Sequence, residues 1–240
     1  MAERAALVTG GSSGIGLAIA RALGEAGYGV TIAARREEKL KAAADQLRSE
    51  DLDVNEVVAQ MTDEDAIIAL VAAHKERYGR LDVLVNNAGV GIGSPIDQAT
   101  TKSIDMQLDI NLRAPILCTR EALPMIKQAG AEHGNAFIIN TASIAGRSGQ
   151  AWLSVYGATK AGLINWTNGL QKELGVCGVR VTALSPAFVD TPMTEFAQEG
   201  VPAEKMIRPD DLAKTVLWLL SMSPPVRIPE IVFERIGEDI

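Results

Sequence analysis

The chain has 240 residues, 47% of them hydrophobic and 22% charged, and its formal net charge is −7. That length suits a single α/β domain over residues 1–240 with a sizeable core, and the acidic balance argues against a nucleic-acid partner. No cationic start leads into an apolar run at the N-terminus and no apolar stretch is long enough to cross a bilayer, so a cytoplasmic protein with no membrane contact is expected.

Short apolar runs alternate with longer helical stretches. Ala5–Val8 meets a glycine-rich turn, and Ile15–Glu25 reads as a helix ending near Gly27. Val30–Ala33 precedes a polar helix at Glu37–Arg48, and Val54–Val58 with Asp63–Tyr78 repeats the unit. Leu81–Val85 is a fourth strand, followed by a long helical stretch at Lys102–Gln128 in which Pro115 and Pro124 are expected to make local breaks. Ala136–Asn140, Ser154–Leu174, Val179–Leu184 and Asp210–Leu220 continue the alternation, and Ile231–Phe233 closes it as a last strand. Strands without polar alternation suit a parallel sheet covered on both faces. The pattern predicts a doubly wound, Rossmann-like α/β fold: a mostly parallel seven-stranded sheet flanked by helices on both faces. Ligands in such sheets bind beyond the carboxyl ends of the strands.

Cys118 and Cys177 form no C-x-x-C and read as free thiols. His74 and His133 sit in no metal-binding motif, so no metal is expected.

The turn after the first strand carries the first chemistry. Gly10, Gly14 and Gly16 give the spacing G-x-x-x-G-x-G. Glycines there allow a tight turn and close backbone approach to a pyrophosphate, and the following helix aims its N-terminus at anionic oxygens. Gly10, Ser12, Ser13, Gly14, Ile15 and Gly16 make up the expected cradle for a dinucleotide. At the end of the second strand an NAD site wants an acid for the ribose 2′-hydroxyl. Here the chain reads Ala33-Ala34-Arg35-Arg36. Arg35 and Arg36 are therefore expected to receive a 2′-phosphate, making NADP(H) the cofactor; their alternative use is a pairing with Glu38 or another nearby acid.

Tyr156 and Lys160 lie four residues apart, on one face of a predicted helix. A phenol titrates near 10 in water, and a neighbouring ammonium favours its phenolate. Such a pair can give a proton to a developing alkoxide or take one from an alcohol.

With Thr9–Gly16 reading T-G-G-S-S-G-I-G, Asn86–Gly89 reading N-N-A-G, Asn111 in the long helix, and Ser143 thirteen residues before Tyr156, the chain resembles a short-chain dehydrogenase/reductase from roughly Ala5 to Leu220. The resemblance implies a tetrad of Asn111, Ser143, Tyr156 and Lys160. In it Tyr156 is the acid/base, Ser143 holds the substrate oxygen, Lys160 binds the nicotinamide ribose and tunes Tyr156, and Asn111 helps hold a proton-relay water. It also places Asn87, Ala88 and Gly89 beside the adenosine ribose, Gln60 and Met61 near the adenine, and Pro186, Val189 and Thr191 at the nicotinamide end. The chain departs from the family pattern in three places. Gln60 replaces an Asp, Ala187 replaces a Gly, and Ser221–Ile240 lacks the glycine-rich ending that often builds a subunit interface. A homo-oligomer, dimer or tetramer, is still expected.

Residues 186–208 form the expected substrate loop, with Phe188, Met193, Phe196 and Met206 either lining a pocket or packing the loop down. Trp152 is expected to wall the same pocket, and Arg147, Lys205 and Arg208 are candidates for an anionic substrate tail. The function so implied is NADPH-linked reduction of a small-molecule carbonyl, of ketone or 3-oxoacyl type. The competing readings are an NAD-dependent alcohol dehydrogenase of the same family and a silent NADPH sensor. A serine hydrolase at Ser143 is disfavoured, because Thr141–Ala145 lacks the G-x-S-x-G elbow.

Overall fold

In a computed structural model, which describes residues 3–197 and 200–237, strand β1 (Arg4–Thr9) is buried everywhere except its first residue. It feeds α1 (Gly14–Glu25), β2 (Tyr28–Ala34), α2 (Glu37–Ser49), β3 (Val54–Val58), α3 (Glu64–Tyr78) and β4 (Val83–Asn86). The second half runs α4 (Thr101–Leu108), a π turn at Asp109–Arg113, α5 (Ala114–His133), β5 (Ala136–Thr141), α6 (Ser154–Leu174), β6 (Val179–Pro186), α7 (Pro209–Ser221) and β7 (Glu230–Phe233). The strands form one seven-stranded sheet in the order β3-β2-β1-β4-β5-β6-β7. Every neighbouring pair is parallel.

Alternate strand residues serve opposite faces, as the two-residue period of a strand requires. Leu7, Leu84, Ile138 and Val181 pack with α3, α5 and α6. Ala6, Val8, Ile32 and Ile139 pack with α1, α2 and α7 on the other face. Burial on both faces is why these strands lack polar alternation. Among the described residues, no helix is long and apolar enough to cross a membrane.

The long helical stretch does not break where the two prolines first suggest. Pro124 lies inside a continuous α5, and Pro115 sits in that helix's first turn. The register changes in the turn before Pro115, where the Ala114 N–H reaches back five residues to the Asp109 carbonyl. A proline N–H is missing from the ladder, so the preceding turn widens rather than continuing as an α-helix.

The chain switches direction across the sheet between β1 and β4. Asp82, just before β4, ties them at their amino ends: its buried carboxylate accepts from the Ala5 N–H at 2.7 Å, from Arg80 and from His133. Burial alone would raise the Asp82 pKa, but the hydrogen bonds from Arg80, Ala5 and His133 hold it below the ordinary carboxylate value. Beyond the carboxyl ends of the same strands lies a crevice, the place where such sheets bind ligands.

Candidate active site

The glycine turn is built for close backbone contact. Gly10 and Gly14 have φ of +68° and +54°, a region that side chains rarely adopt. A Cβ on Gly16 would lie 2.3 Å from the Gly10 carbonyl oxygen. Thr9 and Asn87 lock this turn to the end of β4. Thr9 Oγ1 accepts from the N–H groups of Asn87 and Ala88 at 3.0 and 3.1 Å, and Asn87 Nδ2 donates to the Thr9 carbonyl at 3.1 Å. Ser13 caps α1 without a side-chain hydrogen bond, and no acid stands in the first turn. The free N–H groups there face the crevice with the positive end of the helix dipole.

Ser12, Ser13, Ile15 and the glycines Gly10 and Gly14 border a cavity of about 630 Å³ that runs along the carboxyl ends of the strands. Gly16 lies behind that wall, tightening the turn. At one end the cavity is lined by Ala34, Arg35, Arg36, Gln60 and Met61. Both arginines are exposed, and among the described residues neither forms an ion pair, with Glu38 or any other acid. Asn87, Ala88 and Gly89 line its middle.

Ser143, Tyr156 and Lys160 come together at the other end. Lys160 is buried, and its Nζ donates to the Thr141 carbonyl at 2.7 Å. Its two remaining N–H groups have no partner among the described residues. Burial pulls the ammonium pKa down to about 8. Tyr156 goes the opposite way to the expectation that Lys160 would favour phenolate: burial raises its phenol above the ordinary value, and a hydrogen bond with Ser143 opposes the rise. The net direction is set by removal from water, because charge is costlier there than a phenol. Ser143 Oγ donates to the Pro186 carbonyl at 3.4 Å and accepts from the Ala145 N–H at 3.2 Å.

Asn111 lies in the middle of the π turn, fully buried. Its Oδ1 accepts from the Val90 N–H and its Nδ2 donates to the Val90 carbonyl, each at 2.8 Å, with a further bond to Thr159 Oγ1 at 3.1 Å. The side chain thus clamps the strand-end loop to the start of α6. Sequence reasoning missed Thr9, Thr141 and Thr159 as the partners of Asn87, Lys160 and Asn111. Thr9 and Thr141 could have been found from their place as the last residues of β1 and β5.

Pro186, Val189 and Thr191 also line the cavity, at the start of the substrate loop. Val189 bridges Ile207 in parallel, so the loop is closed at its base. Its two expectations divide. Phe188, Met193 and Phe196 border the cavity, whereas Met206 is buried beneath the loop. The loop's Gln198 and Glu199 lie outside the described residues. Trp152 does wall the pocket, from the turn before α6 rather than from the helix. It has φ of +73°, a left-handed conformation that costs a non-glycine residue about 1–2 kcal/mol. Two candidate tail-binding cations are otherwise engaged: Arg147 pairs with Glu230 at 2.7 Å and Arg208 with Asp211 at 3.2 Å.

A crevice at the β1/β4 switch point, floored by a glycine turn and ending in a Ser–Tyr–Lys cluster, defines a dinucleotide-binding α/β fold with acid/base groups at one end. The family model described as short chain dehydrogenase matches residues 4–201. The chain is also 35% identical over 231 residues to an uncharacterized oxidoreductase of Staphylococcus aureus (strain USA300), covering 96% of each. It superposes on a variant of actinorhodin polyketide ketoreductase crystallised with NADPH at TM-score 0.87 and 32% identity, covering 97% of each chain. On 3-ketoacyl-(acyl-carrier-protein) reductase from Brucella melitensis complexed with NADH it superposes at TM-score 0.86 and 29% identity, covering 97% of this chain and 96% of that one. This chain belongs to the short-chain dehydrogenase family and is an oxidoreductase.

Proposed function

We propose that the chain is an NADPH-dependent reductase of ketones, with Asn111, Ser143, Tyr156 and Lys160 as its catalytic machinery. The observation that carries this reading is the convergence of buried Ser143, half-buried Tyr156 and buried Lys160 at one end of the cavity, whose middle and far end hold the glycine turn and two arginines without an ion pair among the described residues.

The residues present fit the cofactor. The missing Cβ atoms at Gly10 and Gly16 leave the backbone tight against Asn87 and clear for a pyrophosphate, and the N-terminus of α1 is open to its charge. Arg35 and Arg36 favour a 2′-phosphate over a bare ribose hydroxyl, and the absence of an acid at Ala34 removes the partner an NAD enzyme would use. Lys160 has two N–H groups left for ribose hydroxyls after bonding Thr141. When bound, the cofactor supplies a hydride for the carbonyl carbon.

The chain's own residues handle the proton and the oxygen. Ser143 holds the carbonyl oxygen beside Tyr156, and Tyr156, kept protonated by burial, donates its hydroxyl proton as charge develops on that oxygen. Lys160 offsets the phenolate left behind. Asn111 positions the Val90 loop and Thr159, and so the start of the helix that carries Tyr156 and Lys160. The same groups run alcohol oxidation in reverse. We further propose one domain that works as a homo-oligomer, because α4 and α5 leave Leu108 and Ile116 exposed.

The test is loss of reduced cofactor with a panel of ketones, aldehydes, quinones and 3-oxoacyl thioesters. No turnover with any of them would leave a cofactor-binding protein without this activity.

A further inference from the structure

The carbonyl substrate itself has a chemical signature in the cavity, and its identification rests on the reductase reading. The reacting end is walled by Trp152, Leu153, Phe188, Met193 and Phe196. Trp152, Met193 and Phe196 are 52%, 48% and 64% exposed. Large apolar side chains left open to water are ordinary when scattered, but their convergence on one concavity marks a ligand surface.

Charge points the same way. Among the described residues, Lys160 is the one charged side chain lining that end, and it is itself buried against Tyr156. Arg147 is held by Glu230, whose second oxygen accepts from Ser185 Oγ at 2.6 Å, and Arg208 is held by Asp211. Lys205 is exposed and lies off the cavity wall. Arg235 lies off the cavity wall, its guanidinium stacked over Phe188 at 5.7 Å from the ring centroid. Among the described residues that line the reacting end, none offers a phosphate-bearing carrier an exposed cation, and an acidic carrier would meet a chain of net charge −7.

We propose that the site takes an uncharged ketone bearing an aryl group, in preference to a carrier-linked 3-oxoacyl thioester, and that Trp152 selects it. The indole is backed on one face and its backbone is tied down. The Ser94 N–H donates to the Trp152 carbonyl at 2.8 Å, and the ring lies against Gly93, where a Cβ would come within 2.5 Å of Trp152 Cε3. Left-handed backbone at a tryptophan is retained only where its surroundings over-determine it, and such residues gather at ligand clamps. A flat substrate ring set against the indole, with Met193 and Phe196 closing over it, gains both apolar burial and aromatic contact.

The experiment compares kcat/KM for propiophenone, butanone and acetoacetyl-CoA with NADPH in wild type, Trp152→Ala, Gly93→Ala and Tyr156→Phe. Wild type should favour propiophenone over both other substrates by about tenfold or more. Trp152→Ala should cut the propiophenone-to-butanone ratio by about fivefold or more, chiefly through KM for the aryl ketone. Gly93→Ala keeps the indole but forces it to move, and should cut the ratio in the same sense. Titration of NADPH binding shows that each variant is folded. A preference for acetoacetyl-CoA, or a ratio that neither variant changes, overturns the inference while leaving the reductase reading intact. Absence of turnover with every carbonyl, or turnover that Tyr156→Phe does not reduce, overturns both.

Discussion

Lys160 Nζ lies 5.7 Å from the centroid of the Tyr156 ring, over its face, while its hydrogen bond goes to the Thr141 carbonyl. Burial pushes the ammonium down to about 8 and the phenol up, so both groups are moved toward their neutral forms. The proton-transfer pair is thereby shifted away from the charge-separated state that the same two groups would favour in water.

One consequence is a pH profile. The ammonium form of Lys160 carries the charge and the full set of donors for ribose hydroxyls, and that form is lost as pH rises through about 8. Because kcat/KM reports groups of the free enzyme, kcat/KM for NADPH should fall with rising pH through that value. A flat profile up to the alkaline limit of stability would remove Lys160 from cofactor binding.

Tyr156→Phe should lower turnover by about 10²–10⁴-fold, the usual contribution of a positioned acid/base. The ring remains to pack beneath Lys160, so NADPH affinity should change little. Single-turnover rates together with fluorescence titration of NADPH separate the two quantities. A variant that turns over within a factor of about two of wild type would remove the hydroxyl from the mechanism.

Cofactor choice should sit at the end of β2. A charge-assisted hydrogen bond contributes about 1.5–3 kcal/mol, and about 1.4 kcal/mol is tenfold in affinity, so one arginine contact to a 2′-phosphate gives roughly a ten- to hundredfold preference for NADPH. Arg35→Ala should erode that preference and Ala34→Asp should reverse it, through repulsion of the phosphate and acceptance of ribose hydroxyls. The measured quantity is the ratio of kcat/KM for NADPH and NADH. A wild type indifferent to the phosphate would assign these arginines to solvent.

His74 should make the fold acid-sensitive. Its ring is buried between Thr31 Oγ1 at 2.8 Å and the Arg80 carbonyl at 2.9 Å, and burial lowers its pKa from 6.5 to about 4. In the unfolded chain the imidazole takes up its proton first. The stabilisation is therefore complete above 6.5 and lost as pH falls toward 4. The loss between neutral pH and about pH 4.5 should be roughly 2–3 kcal/mol, at about 1.4 kcal/mol per pKa unit. Urea unfolding of wild type and His74→Gln at the two pH values measures it. Equal losses in both proteins would assign the acid sensitivity elsewhere.

Assembly should be visible in solution. Ile116 on α5 and Leu108 on α4 stay 38% and 43% exposed, while Leu117 on α5 and Leu163 on α6 turn into the core. Sedimentation at micromolar concentration should give a dimer or tetramer. A stable monomer would refute the proposed oligomer.

What could be read in the sequence was local. The strand and helix alternation follows from buried runs such as Ala5–Val8 and from helical spacing, and Tyr156 and Lys160 share a face because they lie one turn apart. The glycine turn was legible for the same reason: Gly10, Gly14 and Gly16 act within a few residues of one another. What escaped depends on distant partners. Arg147 looked available because Glu230, its partner, is 83 residues away. Sequence left Met206 equally able to line a pocket or to pack the loop down, because the choice depends on the loop's base closing at Val189 and Ile207. The π turn at Asp109–Arg113 sits one turn before the proline that signals it, and no spacing rule predicts that Trp152 adopts a left-handed backbone.

The adjacency of β1 and β4 also sets an order of assembly. Ala5 bonds Asp82 across 77 residues, and Asn87 bonds Thr9 across 78. Closing so long a loop is slow, and parallel pairings of this kind give high contact order. The first three strands can associate before the fourth arrives, but the floor of the crevice has only one side until the chain has returned to β1. Backbone amides around Thr9, Gly10 and Ala88 should accordingly be among the last to gain protection from hydrogen exchange during refolding. The cleft that defines the protein's chemistry is then also its kinetic bottleneck.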